Sequence, residues 1–145
     1  MESNSRKTQI LKEIFGYDSF RKGQEETVDQ ILNGRDVLAI MPTGAGKSLC
    51  YQVPALLMSG ITIVVSPLIS LMQDQVKALN DAGIHAAFIN SSLTENQISK
   101  ALELAAAGRY KMIYVAPERL LTPRFLDFAC HTELSMVTID EAHCI

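Results

Sequence analysis

The chain has 145 residues, 48% of them hydrophobic and 20% charged, the size and balance of a single globular domain rather than of a disordered or fibrous chain. Its 13 Lys+Arg against 16 Asp+Glu leave a net charge of −3. That excludes retention on nucleic acid by bulk positive charge, so any such contact must come from backbone amides and single basic residues.

Taken in chain order, Ile10, Leu11, Ile14 and Phe15 predict a first helix stopped by Gly16. Val28, Ile31 and Leu32 predict a second, stopped near Gly34. Five short apolar runs follow, at 37–41, 61–65, 86–89, 112–115 and 136–139. Most are rich in Val and Ile, and their clear polar interruptions, Thr62 and Thr138, are β-branched. Such near-continuous apolar runs suit strands buried on both faces. Ser66-Pro67 offers an N-cap and a first-turn proline to a helix that aligns Leu68, Leu71, Met72, Val76 and Leu79. Thr94 and Gln97 have the spacing of a capping box, before a stripe of Ile98, Ala101, Leu102 and Ala105 that ends at Gly108. Thr122-Pro123 opens a further helix carrying Phe125, Phe128 and Ala129. The alternation predicts an α/β fold with a mostly parallel sheet and right-handed crossovers.

No apolar run approaches the roughly 18 residues that cross a membrane. The polar start Met1-Glu2-Ser3-Asn4-Ser5 has no apolar segment behind it, so no signal peptide is expected. Cys50, Cys130 and Cys144 are widely spaced and form no C-x-x-C pair. Small buried or half-buried thiols in a reducing, cytoplasmic compartment are the expectation.

Each apolar run is followed at once by polar or turn-forming residues: Pro42-Thr43-Gly44, Ser66-Pro67, Asn90-Ser91-Ser92, Ala116-Pro117-Glu118-Arg119 and Asp140-Glu141. In a parallel sheet all five clusters leave on one edge, outside the carboxyl ends of the strands, where open α/β sheets bind ligands. Loops are polar in any fold, so the weight falls on the chemistry of two of them. Met41-Pro42-Thr43-Gly44-Ala45-Gly46-Lys47-Ser48 lies between an expected strand and an expected helix, the setting of a phosphate-binding loop. Gly44 and Gly46 let backbone amides turn inward around phosphate oxygens at the positive end of the helix. Lys47 can reach β- and γ-phosphates, and Ser48 can ligate Mg²⁺. Met41 stands where the pattern G-x-x-x-x-G-K-S/T has its first glycine, and an accidental Gly-rich turn is the competing reading. Asp140-Glu141-Ala142-His143 follows the last run. Alone, that pair of acids reads as a solvated loop. Beside a phosphate loop, Asp140 can hold Mg²⁺ while Glu141 orients the attacking water.

Tyr17, Phe20-Arg21 and Gln24 join these segments into a larger pattern with 41–48 (MPTGAGKS), 66–75 (SPLISLMQDQ), 116–120 (APERL) and 140–145 (DEAHCI). Together they resemble the RecQ DNA helicases of helicase superfamily two, from about Ile10 to the last residue. Helicases of this superfamily commonly replace the first glycine of the loop, which suits Met41. DEAD-box RNA helicases, the nearest rivals, carry different sequences after the second and fourth strands. The resemblance implies a RecA-like P-loop NTPase domain, a mostly parallel sheet flanked by helices and incomplete at the C-terminus. Residues 1–35 would be N-terminal helices with an adenine-recognition motif, and 36–145 the core from phosphate loop to DEAH.

It also implies ATP and Mg²⁺ as cofactors. Met41, Pro42, Thr43, Gly44, Ala45, Gly46, Lys47 and Ser48 would cradle the phosphates. Lys47, Asp140 and Glu141 would be catalytic, and Ser48 and Asp140 would hold the metal. Gln24 would read the adenine edge, with Tyr17 and Arg21 packed on the base; ordinary packing of a helix pair is the alternative. Pro67, Ser70, Gln73, Asn90, Ser91, Glu118 and Arg119 would line a track for the backbone of single-stranded or partly duplex DNA, and plain helix capping is the alternative. His143 would couple the two sites, although a hydrogen bond within its loop explains it as well. His85 and His131 show no partner pattern.

Helicases that the chain resembles continue with a second RecA-like domain bearing arginine fingers, a zinc-binding module and further DNA-binding domains. The expectation is therefore the first, truncated RecA-like domain of a 3′-to-5′ DNA helicase. It would lack the strand that follows the DEAH loop and, alone, hydrolyse ATP negligibly. An RNA-directed helicase of the same superfamily and a non-catalytic nucleotide-binding interaction module are the rivals.

Overall fold

The computed structural model describes residues 2–41 and 46–140, with side chains from Arg6 onward. The chain divides into two compact units, Met1–Met58 and Ser59–Ile145.

In the first unit the apolar spacing builds three helices, α1 (Glu2–Glu13), α2 (Gln24–Leu32) and α3 (Leu49–Leu57). Leu11, Val28, Leu49 and Val53 form its buried centre, ringed by Ile10, Phe15, Phe20, Leu32 and Leu57. α2 stops where the sequence indicates. Gly34 has a φ of 78°, its N–H donates to the Ile31 carbonyl, and the Arg35 N–H donates to the Gln30 carbonyl. A left-handed glycine thus lets the chain satisfy the last helical carbonyls.

A buried cation joins the first two helices. Lys7 is 1% exposed, and its Nζ reaches Glu25 Oε1 at 3.0 Å and Asp29 Oδ1 on α2. Burial pulls the ammonium pKa down, but hydrogen bonds and charge from Asp29 and Glu25 outweigh it and hold Lys7 above the ordinary lysine value.

The run 37–41, expected as the first strand, is not one. Leu38 and Ile40 are 83% and 87% exposed, and no described residue pairs with the run in a ladder. Strand preference is mostly a matter of packing against neighbouring strands. Without such a neighbour the apolar run has nothing to hold it extended.

The second unit contains the alternating elements: β1 (Ile61–Val65), α4 (Ile69–Asp81), β2 (Ala86–Ile89), α5 (Glu95–Ala106), β3 (Met112–Val115), α6 (Pro117–Leu120), α7 (Pro123–Cys130) and β4 (Leu134–Ile139). The strands lie in the order β2-β3-β1-β4 and every pair is parallel. The expected parallel α/β architecture is present, with four described strands rather than five. One sheet face, through Ile61, Ile63, Val65, Ile113 and Val115, packs in a common core with Ile98 and Leu102 of α5 and Phe125 and Phe128 of α7. The two phenyl rings lie 5.7 Å apart, tilted by 54°. Val64, Met112 and Tyr114, on the other face, are also buried. Burial on both faces is why these runs lack polar alternation. Thr62 is fully buried, and its hydroxyl lies 2.7 Å from that of Ser135, at an irregularity in the β1–β4 register. Among the described strands β2 and β4 are the edges, and Val137 and Ile139 of β4 are each 55% exposed.

One helix start departs from expectation. Ser66 is not an N-cap, because its N–H continues the ladder to the Val115 carbonyl and its side chain is buried. The chain bends at Pro67, the Leu68 N–H donates to Ser66 Oγ at 3.4 Å, and α4 begins only at Ile69. The capping box is as expected: Thr94 Oγ1 accepts from the Gln97 N–H and Gln97 Oε1 accepts from the Thr94 N–H. Thr122 precedes Pro123 at the start of α7, but its hydroxyl donates to the Arg119 carbonyl instead of capping.

The Lys7 cluster sets a pH dependence. A raised folded pKa means that its contribution is fully present below the unfolded value of 10.5 and fades as pH rises through the folded value. Lys7→Met should lower stability by about 1–3 kcal/mol at neutral pH. In urea unfolding series, the gap to the unaltered protein should shrink above pH 10.5; equal midpoints at pH 7 would show that the cluster contributes nothing.

Candidate functional site

The phosphate-loop residues belong to the first unit. α2 opens after Gly23, whose φ of 87° turns the chain into the helix. Gln24, its first residue, is 1% exposed. Its Oε1 accepts from the Arg21 N–H at 2.7 Å, and its Nε2 donates to the Gly46 carbonyl at 3.0 Å. One amide side chain thus ties the segment 21–24 to the end of the loop. Gly46 has a φ of 74°, and a Cβ placed there would stand 2.4 Å from Gln24 Nε2. The backbone conformation requires glycine, and a side chain there would in addition have to push the Gln24 amide aside.

Lys47 and Ser48 are half-buried and lead directly into α3. The Cys50 N–H donates to the Lys47 carbonyl and the Gln52 N–H to the Ser48 carbonyl. Ser48 makes no side-chain capping bond. Met41, in place of the pattern's first glycine, has its Cε 3.6 Å from where a Cβ would sit on Gly23, and Cys50 Sγ lies 3.8 Å from its Sδ. The thioether fills the space between the starts of α2 and α3. Burial pushes the Cys50 thiol up, which keeps it protonated and unreactive. Tyr17, 47% exposed, and Arg21 both face solvent. Pro42, Thr43, Gly44 and Ala45 lie outside the described residues.

The second group of residues lies at the carboxyl edge of the sheet. The Asp140 N–H donates to the Val65 carbonyl at 2.8 Å, extending the β4 ladder by one residue and setting Asp140 beside the end of β1. Glu141 and His143 lie outside the described residues. At the same edge, Pro67 is half-buried and Ser70 is exposed in the first turn of α4. Gln73 Nε2 donates to Ser92 Oγ at 3.3 Å, bringing α4 and the turn after β2 together. Asn90 is fully buried: its amide donates to Met72 Sδ, and its Oδ1 accepts from the Ser92 N–H and hydroxyl. Its side chain shapes the turn, while Ser91 and Ser92 face outward. Glu118 is exposed and Arg119 half-buried on α6.

One cluster escaped the sequence reading. Arg119 Nη1 lies 3.5 Å from Glu95 Oε1, and Arg124 Nη1 lies 3.2 Å from Glu95 Oε2 and donates to the Glu95 carbonyl at 3.1 Å. No local spacing links these residues, because Glu95 and Arg124 sit in the first turns of two different helices.

Hydroxyls, turn amides and single arginines at such an edge can hold phosphates without reading bases. The Ser48 hydroxyl in the first unit and the Asp140 carboxylate in the second are each the kind of hard oxygen donor that Mg²⁺ takes. Among the described residues no three His, Cys, Asp or Glu side chains cluster as a ready-made metal cage, and no helix is long and apolar enough to cross a membrane.

Residues 21–145 match the DEAD/DEAH box helicase family. The chain is 51% identical over 136 residues to the ATP-dependent DNA helicase RecQ of Haemophilus influenzae, covering 94% of this chain and 22% of that protein. It is 50% identical over 137 residues to the RecQ of Bacillus subtilis, covering 94% and 23%. A putative ATP-dependent RNA helicase of Acanthamoeba polyphaga mimivirus is 43% identical over 141 residues, covering 94% and 25%. The chain therefore spans less than a third of the length of each of these relatives.

The double demand on Gly46 is open to test. Gly46→Ala should cost about 1–2 kcal/mol from the left-handed backbone alone, and more as Gln24 is displaced. Denaturant midpoints measure this, and an unchanged midpoint would contradict the loop geometry.

Proposed function

The chain belongs to the DEAD/DEAH box helicase family, and from that membership we propose that it is the ATP-binding part of a RecQ-type DNA helicase that unwinds 3′ to 5′. The observation that carries the reading is 51% identity to a RecQ helicase over 94% of the chain, with Gly46-Lys47-Ser48 and Asp140-Glu141 both in place. On this reading residues 1–35 form the adenine-recognition segment and 36–145 the core of a first RecA-like domain within a longer protein.

The proposed chemistry is phosphoryl transfer to water. Lys47 would neutralise the β- and γ-phosphates, and Glu141 would orient the attacking water. Ser48 and Asp140 would hold Mg²⁺, which when bound offsets negative charge on the phosphates. Gln24 would recognise adenine, because an amide donates and accepts at once, with exposed Tyr17 and Arg21 against the base. The Gln24–Gly46 hydrogen bond supports that assignment, since the side chain proposed to read adenine touches the backbone next to Lys47. Pro67, Ser70, Gln73, Ser91, Glu118 and Arg119 would carry the DNA backbone along the sheet edge, with Asn90 holding the turn, and His143 would couple that track to the nucleotide.

Charge developing on the γ-phosphate calls for an arginine from a second RecA-like domain, worth about 10³–10⁵ in rate. Residues 1–145 by themselves are therefore expected to hydrolyse ATP negligibly. The viral relative described as an RNA helicase supports an RNA-directed second reading. Stronger stimulation of ATPase by single-stranded RNA than by DNA would favour it.

In the intact protein, Lys47→Ala should abolish ATPase and unwinding. Glu141→Gln should keep nucleotide binding while lowering turnover by at least about a hundredfold. Unwinding at the normal rate in the Lys47→Ala protein would end the proposal.

A further inference from the structure

Beyond Arg119, the edge of the sheet carries a second arginine that the phosphate track does not account for. Arg119 on α6 and Arg124 on α7 converge on the two carboxylate oxygens of Glu95, at 3.5 and 3.2 Å. The side chains of Glu95 and Arg124 are 68% and 44% exposed, so the contact faces solvent. A cavity of about 350 Å³ adjoins it, with Ile98, Leu102 and Phe125 among its apolar lining and Thr122 beside the arginines.

The cluster is poorly explained as a brace. Exposed ion pairs add little stability, α5 already has its capping box, and α7 is anchored by buried Phe125 and Phe128. Two guanidiniums aimed at one set of anionic oxygens form the arrangement that binds phosphate best, and the apolar lining reduces competing water on one side. The three charges sum to +1. A carboxylate so exposed can leave for solvent, and a phosphodiester arriving in its place presents two anionic oxygens to the same two arginines.

We propose that Arg119 and Arg124 form a phosphate-binding fork for single-stranded DNA, and that Glu95 occupies the fork when no strand is present. This rests on the reading of the sheet edge as a nucleic-acid track, to which it adds Arg124 as a contact and Glu95 as an internal competitor. The competitor limits how tightly any one phosphate is held, which suits a track that must release the strand as it moves.

The test is binding of a fluorescein-labelled oligothymidine to the intact protein, followed by anisotropy over a range of salt concentrations. Arg124→Ala should weaken binding several-fold and reduce the slope of log affinity against log salt by about one. Glu95→Gln should tighten binding several-fold, and much less so in the Arg124→Ala background. Both sites are exposed, and unfolding midpoints identify a variant that fails to fold; Arg124→Lys, which keeps the charge but loses the fork, should then give an intermediate affinity. If the unaltered protein binds but Glu95→Gln binds no better, the fork proposal is overturned while the track reading survives. Failure of the unaltered protein to bind would overturn both.

Discussion

Parallel pairing is the constraint from which the arrangement of the second unit follows. When β2, β3, β1 and β4 all run the same way, every strand delivers its following residues to one edge and every return must pass through a helix on a face of the sheet. Segments far apart in sequence, from Pro67 to Asp140, thereby become neighbours along a single line. The same constraint buries both faces of the central strands β1 and β3, which are accordingly almost wholly apolar. Thr62, the buried exception, is accommodated by the hydroxyl of Ser135.

In the first unit a comparable role falls to one side chain. Gln24 is buried, accepts from the backbone at Arg21 and donates to the backbone at Gly46. It joins the segment expected to meet adenine to the loop expected to meet phosphate. Gly46 is glycine because its backbone is left-handed, and a Cβ there would also displace the Gln24 amide. Met41 is tolerated at the other end of the loop because its flexible thioether packs between α2 and α3, where the pattern has no side chain at all.

Polar groups at the sheet edge divide into those that build it and those that face out. Asn90 satisfies its amide internally and so fixes the turn that presents Ser91 and Ser92. Ser66 continues a ladder and is lost to solvent. Among the described residues Arg119 and Arg124 pair with Glu95 at the surface, and this is why they are the groups a phosphate could rearrange. Among the described residues no buried side-chain nitrogen or oxygen lacks a partner, so the internal network is closed.

The sequence by itself determined the strands and longer helices of the second unit, though not the short α6, because apolar runs, a capping box and helix-stopping glycines are local signals read within a few residues. It also marked Lys47, Ser48 and Asp140, since their chemistry is carried by short motifs. Tertiary structure alone decided whether an apolar run became a strand: 61–65 found partners on both sides and 37–41 found none among the described residues, and a ladder is made by the neighbour as much as by the run. It alone decided that Ser66 would extend a sheet rather than cap a helix, that Asn90 would point inward, and that Lys7 would be buried against Glu25 and Asp29. It alone brought Glu95 to Arg119 and Arg124. Each of these outcomes depends on a contact between distant segments, and no local spacing encodes such a contact.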